Sequence, residues 1–126
     1  MKIYTTARED YLKAILVLQK QNGSVRSVDV AQYLGFSKPS VCRAVATLTE
    51  GGFLRMDPEF KLCLTEEGQR VAEQTYERHC FFERQLLALG VDPVTAGEDA
   101  CKLEHAISEE SFRLLKAKLE PEQAEI

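Results

Sequence analysis

Apolar positions recur at helical spacing in long blocks of this chain and alternate in only one short stretch. Tyr11, Leu12, Ile15, Leu16 and Leu18 follow the start signal Thr5-Thr6-Ala7-Arg8-Glu9-Asp10 and predict a first helix to about Gln21, ended by Asn22-Gly23. Ser27 is placed to cap a short second helix, Val28 to Leu34, closed by Gly35. Ser37-Lys38-Pro39-Ser40 opens a third helix with proline at an early position, where its missing N–H costs nothing. Val41, Val45 and Leu48 face inward along it until Gly51-Gly52. Phe53-Leu54-Arg55-Met56, the turn Asp57-Pro58-Glu59-Phe60 and Lys61-Leu62-Cys63-Leu64 then predict a β-hairpin. Thr65-Glu66-Glu67-Gly68 caps a long fourth helix, with Val71, Ala72, Tyr76, His79, Phe82, Leu86 and Leu87 as a broad stripe ending near Gly90. A fifth helix is expected from Pro93 or Val94 to Ile107, and Ser108-Glu109-Glu110 caps a sixth carrying Phe112, Leu114, Leu115 and Leu119 before a polar tail, Pro121 to Ile126.

Helix, tight turn, helix and two-stranded wing is the winged-helix arrangement, so the pattern predicts a mainly α chain. Its expected parts are an N-terminal winged helix-turn-helix over residues 1–70 and a C-terminal helical domain over 71–126. The outer face of the third helix shows Ser37, Lys38, Ser40, Arg43 and Thr47, groups of the kind that reach base edges and phosphates in a major groove. A solvated helix face is polar in any case; the hairpin that follows, with Arg55 and Lys61 on its strands, favours DNA. Two further helices striped with Leu, Phe and Ile are more apolar face than one small domain needs, which points to a homodimer.

Composition sharpens this picture. The chain has 126 residues, 44% of them hydrophobic, enough for a real core. It has no run of eighteen apolar residues and no secretory h-region, so a cytoplasmic protein without membrane contact is expected. Cys42, Cys63, Cys80 and Cys101 are too sparse for a disulfide scaffold and are read as reduced thiols. The net charge of −4 is segregated: residues 1–64 carry nine Lys/Arg against six Asp/Glu, and residues 65–126 carry seven against fourteen. The front half suits phosphate and the back half suits cations.

The acidic half holds the chemistry. Cys101, Glu104 and His105 stand at i, i+3 and i+4, and on a helix they would present a thiolate, a carboxylate and an imidazole to one point. His79 and Glu83, at i and i+4, make a second half-site, and two helices could share one ion. A ferritin-like di-iron site is disfavoured because Glu104 and His105 are adjacent and have no second copy. A Cys/His hydrolase would pair Cys101 or Cys80 with His79 or His105 but lacks an oxyanion-hole glycine motif, so no enzyme is expected. The remaining alternative is a metal-independent winged-helix regulator that senses an organic ligand.

In this order, Glu9-Asp10-Tyr11-Leu12, Ser37-Lys38-Pro39-Ser40-Val41, Leu64-Thr65-Glu66-Glu67-Gly68, His79 with Glu83, and Ala100-Cys101-Lys102-Leu103-Glu104-His105 carry a resemblance over nearly the whole chain. The sequence resembles the metal-dependent transcriptional repressors of the diphtheria-toxin-repressor family, with iron-responsive and manganese-responsive branches. The resemblance implies Asp10, His79, Glu83, Cys101, Glu104 and His105 as metal ligands, Mn2+ or Fe2+ as the ion with Zn2+ or Co2+ as surrogates, and no organic cofactor. It also implies a homodimer on a palindromic operator, with Ser37, Pro39, Ser40 and Arg43 at positions that meet DNA in the family. Lys38, Arg55, Lys61 and Arg26 are phosphate partners by charge alone.

The ligand types are mixed, since Asp10 is manganese-like and Cys101 iron-like. Lys13 and Gly97 stand where one branch or the other has a ligand, so one good site and a second, weaker one are expected. Phe36, where the iron branch is polar, implies a different operator preference. The chain is expected to lack the third, SH3-like domain of the iron branch. In this reading an ion held by Asp10 and by the acidic half acts as a clip that orders the recognition helices for two half-sites.

Overall fold

The computed structural model describes residues 5–124, and the chain divides into two compact units, Met1–Thr75 and Tyr76–Ile126. No helix among the described residues is long and apolar enough to cross a membrane.

The first unit opens with α1 (Thr5–Asn22), whose Leu12, Ala14 and Ile15 are fully buried. It is followed by α2 (Ser27–Leu34), α3 (Lys38–Glu50) and an antiparallel hairpin of β1 (Leu54–Met56) and β2 (Leu62–Leu64), paired Leu54 to Leu64, Arg55 to Cys63 and Met56 to Leu62. The inward set Val41, Val45 and Leu48 lies buried on α3. Leu54 and Leu62 close the core from the wing. The Leu62 N–H also donates to the Val25 carbonyl at 2.7 Å, which ties β2 to the segment before α2. The cap of α2 differs from expectation. Arg26, not Ser27, holds the N-cap position, and its backbone N–H donates to Asp29 Oδ2 at 2.9 Å. Asp29, three residues on, supplies the oxygen that the cap side chain cannot. Gly35 ends α2 in the left-handed region, φ 74°, and Ser37 Oγ caps α3 by accepting from the Ser40 N–H.

The helix α4 (Glu66–Ala88) starts in the first unit, where Thr65 Oγ1 accepts from the Gly68 N–H at 3.1 Å and donates to the Gly52 carbonyl at 2.6 Å. Val71, Ala72 and Thr75 give this part its buried face.

In the second unit, the rest of α4 packs with α5 (Pro93–Leu103), α6 (Glu109–Leu119) and a short α7 (Pro121–Ala124). The core centres on Phe81 and Phe112, edge to face with centroids 5.4 Å apart. Phe81 was absent from the expected stripe. Glu77 receives Arg113 at 2.7 Å and Lys116 at 2.6 Å, fastening α6 to α4. Burial pushes the Glu77 carboxyl up, but the Arg113 and Lys116 hydrogen bonds outweigh it and hold it below its ordinary value. Of the apolar positions expected on α6, Phe112 is buried whereas Leu114 and Leu119 are exposed; Lys116 is buried on α6 with its ammonium on Glu77. The expected polar tail instead begins with α7, and α5 stops at Leu103 rather than Ile107.

Candidate functional site

The acidic unit brings three donors of different chemistry together. His79 Nδ1, Cys101 Sγ and a Glu104 carboxylate oxygen lie within 4.8 Å of one another. His79 Nδ1 is 3.0 Å from Glu104 Oε1 and 3.7 Å from Cys101 Sγ. Glu104 is 1% exposed, so its charge is withdrawn from water. A buried carboxylate is costly unless compensated, and each of its oxygens meets a histidine: Oε1 meets His79, and Oε2 meets His105 Nε2 at 3.2 Å.

The end of α5 produces this arrangement. Glu104 keeps helical dihedrals and its N–H still reaches the Ala100 carbonyl at 3.0 Å, but His105 N–H turns to Lys102 and Ala106 N–H to Leu103. Those three-residue spacings tighten the last turn toward three residues per turn, which rotates His105 past the line an α-helix would give it. Cys101 therefore joins His79 on one side of Glu104, while His105 takes the other oxygen. The single point expected from Cys101, Glu104 and His105 becomes two faces of one carboxylate. Arg78, which sequence reasoning missed, steadies this turn: Nη1 donates to the Ile107 carbonyl at 2.7 Å and Nη2 to Glu109 Oε1 at 2.8 Å. Its only sequence signal is a cation beside His79.

Glu83 stands outside the three-donor group, with Oε1 3.8 Å from His79 Nε2. That is too long for a hydrogen bond but places the charge behind the ring. Gly97 borders it, and a Cβ added there would meet Glu83 Oε2 at 3.5 Å, an ordinary contact. Asp10 is half-buried on α1 in the first unit. Imidazole nitrogen, sulfur and carboxylate oxygen together suit a divalent first-row transition ion better than Mg2+ or Ca2+, which take oxygen. The donor set fits such a metal.

The other candidate surface lies in the first unit. Ser37, Lys38, Pro39 and Arg43 are exposed on α3 and Ser40 is half-buried, with Ser37 Oγ donating to Ser40 Oγ at 2.9 Å and Arg43 Nη2 to the same oxygen at 3.4 Å. Arg55 is exposed on β1. Lys61 pairs with Glu59 at 3.1 Å, and Arg26 Nε donates to the Glu59 carbonyl at 3.3 Å, so both hold the wing turn.

Two family models cover most of the chain. "Iron dependent repressor, N-terminal DNA binding domain" matches residues 4–60, and "Iron dependent repressor, metal binding and dimerisation domain" matches residues 65–123. Transcriptional regulator MntR of Escherichia coli is 40% identical over 113 residues, 87% of this chain and 73% of that protein. The chain belongs to the iron-dependent repressor family.

Its members are metal-dependent, DNA-binding transcriptional regulators, and this chain is one of them. The diphtheria toxin repressor of Corynebacterium glutamicum is 30% identical over 116 residues, 91% of this chain but 51% of that protein. Among solved structures, a manganese-dependent transcriptional repressor in complex with manganese shares 30% identity and a TM-score of 0.78 over 89% of this chain and 52% of that one. The chain thus spans about half the length of these last two relatives. The winged helix and the helical second unit accord with a family of regulators.

Proposed function

We propose that the chain is a cytoplasmic repressor of iron or manganese homeostasis genes that binds a palindromic operator as a homodimer when loaded with Mn2+ or Fe2+. The observation that carries the metal reading is the buried Glu104 carboxylate with an imidazole on each oxygen and the Cys101 thiol beside one of them. His79, Cys101 and Glu104 hold the ion, and His105 supplies a donor on the second face of the same carboxylate. His79 would ligate through Nδ1, which leaves Nε2 on the side of the Glu83 carboxylate 3.8 Å away, whose charge would favour that ring orientation without a direct hydrogen bond. This replaces the direct-ligand role that the resemblance implies for Glu83. Asp10 is assigned as a further oxygen ligand on the sequence pattern alone.

When bound, the ion neutralises the clustered carboxylates and fixes the ligand side chains. The residues deliver the DNA contacts themselves: Ser37, Pro39, Ser40 and Arg43 face bases and phosphates, with Lys38 and Arg55 adding backbone charge. The apolar residues exposed in the second unit, Leu87, Leu89, Val94, Leu103, Leu114 and Leu119, supply the dimer face.

Anaerobic titration of chelator-stripped protein with Mn(II) and Fe(II) tests the site. One or two ions per chain are expected, bound more tightly for Fe(II) than Mn(II) by the general order for mixed N, O and S donors. His79→Ala and Cys101→Ser should each weaken the tighter step by more than about 100-fold, beyond the roughly 10- to 100-fold loss typical of an outer-sphere partner. Unchanged isotherms in both variants would remove the assignment.

A further inference from the structure

Arg78 and His79 are consecutive on α4, and residues one apart on a helix point in different directions, about 100° from each other. His79 meets Glu104 Oε1, while Arg78 reaches the turn that follows α5, so one stretch of α4 addresses both sides of the buried carboxylate. The two sides are not held alike. Glu104 still belongs to the helix, because its N–H reaches the Ala100 carbonyl at 3.0 Å. His105 does not: its N–H goes to the Lys102 carbonyl at 3.4 Å, long for a hydrogen bond, and the Ala106 N–H goes to Leu103 at 3.1 Å. The place of His105 is therefore set by the turn and not by α5.

Arg78 closes that turn. Nη1 donates to the Ile107 carbonyl at 2.7 Å, two residues beyond His105, and Nη2 donates to Glu109 Oε1 at 2.8 Å in the first turn of α6. The guanidinium carbon lies 5.4 Å from the centroid of the fully buried Phe112 ring, and the side chain is only 13% exposed. A planar fork seated on a ring and anchored at two oxygens is fixed in a way that a lysine ammonium would not be. The third nitrogen, Nε, is buried with no hydrogen-bond partner among the described residues, a cost in stability that a residue serving packing alone would not carry.

We propose that Arg78 is a positioning residue for the metal site: by fixing the 103–107 turn it holds the His105 imidazole on Glu104 Oε2 and so sets the second face of the carboxylate for the ion. It acts through the backbone of the turn. The face made by His79, Cys101 and Glu104 Oε1 is built from α4 and α5 and does not need it. This inference rests on the reading of His105 as a metal donor.

A double-mutant cycle on the full chain, stripped of metal and titrated anaerobically with Co(II), separates this role from a merely structural one. Arg78→Lys should weaken Co(II) binding about tenfold in the parent, the lower end of losses at residues that orient ligands, and by less than twofold in His105→Ala. The sulfur-to-cobalt charge-transfer absorption of Cys101 should keep its intensity at saturation. In the stripped protein, amide hydrogen exchange at His105 and Ala106 should quicken roughly fivefold while that at Ala100 holds. Glu109→Gln removes one anchor at an exposed position and, should Arg78→Lys unfold the chain, carries the same test, with a loss of about threefold in the parent and none in His105→Ala. Equal losses in both backgrounds, loss of the charge-transfer band, or an Arg78→Lys isotherm equal to the parent's would overturn the proposal and leave the metal site standing. A parent that binds no Co(II), or a His105→Ala isotherm equal to the parent's, would instead remove the metal reading of His105, and the proposal with it.

Discussion

Gly68 shows how tightly a single position can be specified. A Cβ there would lie 2.0 Å from the Phe53 carbonyl oxygen, a backbone atom that accepts the Thr65 N–H and cannot retreat without undoing the joint between wing and α4. Gly68→Ala is therefore expected to destabilise the protein by about 1–3 kcal/mol, read as a lower urea midpoint. An Ala variant as stable as the parent would show that this joint yields. The same residue was visible in the sequence only as part of a helix cap, because close approach of two backbones leaves no mark on hydropathy. Glu104 was visible for the opposite reason: a carboxylate three residues from a cysteine and next to a histidine shares a helix face with them. Its burial was not visible, and that burial sets the group apart from an exposed acidic cluster.

At the scale of elements, the helices were legible wherever a cap or a glycine spoke for them. Ser37, Asp92 and Ser108 each accept backbone N–H groups at their helix starts, and Gly35 and Gly90 stand in the left-handed region just past helix ends. The end of α5 carries no such mark. Leu103 to Ile107 contains neither glycine nor proline, and the helix gives way because Ser108 caps the next one. The last turn tightens to join them. That turn moved His105 to the far side of Glu104. The ion pairs that bind α6 and its C-cap Glu120 to α4 were invisible too, since pairing over more than thirty residues has no local pattern. Arg113 and Arg78 hold the Glu109 carboxyl, and Arg84 holds that of Glu120, below the ordinary value of 4.5. A carboxyl whose folded pKa lies below its unfolded one stabilises the fold fully above the unfolded value and loses that contribution as pH falls through the folded value. Thermal midpoints of stripped protein should accordingly drop below about pH 4.5, and a Glu109→Gln, Glu120→Gln double variant should show a shallower drop. Equal slopes would mean that these pairs contribute nothing measurable.

For the molecule as a whole, charge was the clearest early guide: the basic first half became the winged helix, and the acidic second half holds the His79, Cys101 and Glu104 donors. Two units with separate cores, one for DNA and one for metal, make regulation a question of coupling. A coupling of about 1–3 kcal/mol is typical between an effector and a second ligand, a change of roughly 5- to 150-fold in affinity. Asp10, on α1 of the DNA-binding unit, is the residue whose loss should separate the two functions. The most direct measurement is the affinity for a duplex selected from a random-sequence library, followed by fluorescence anisotropy at fixed ionic strength, for stripped and Mn(II)-loaded protein and for Asp10→Ala. Metal should tighten binding by the range above in the parent and by less than threefold in Asp10→Ala. Equal affinity of the stripped and loaded parent would contradict the account and leave a winged-helix regulator that does not need its metal.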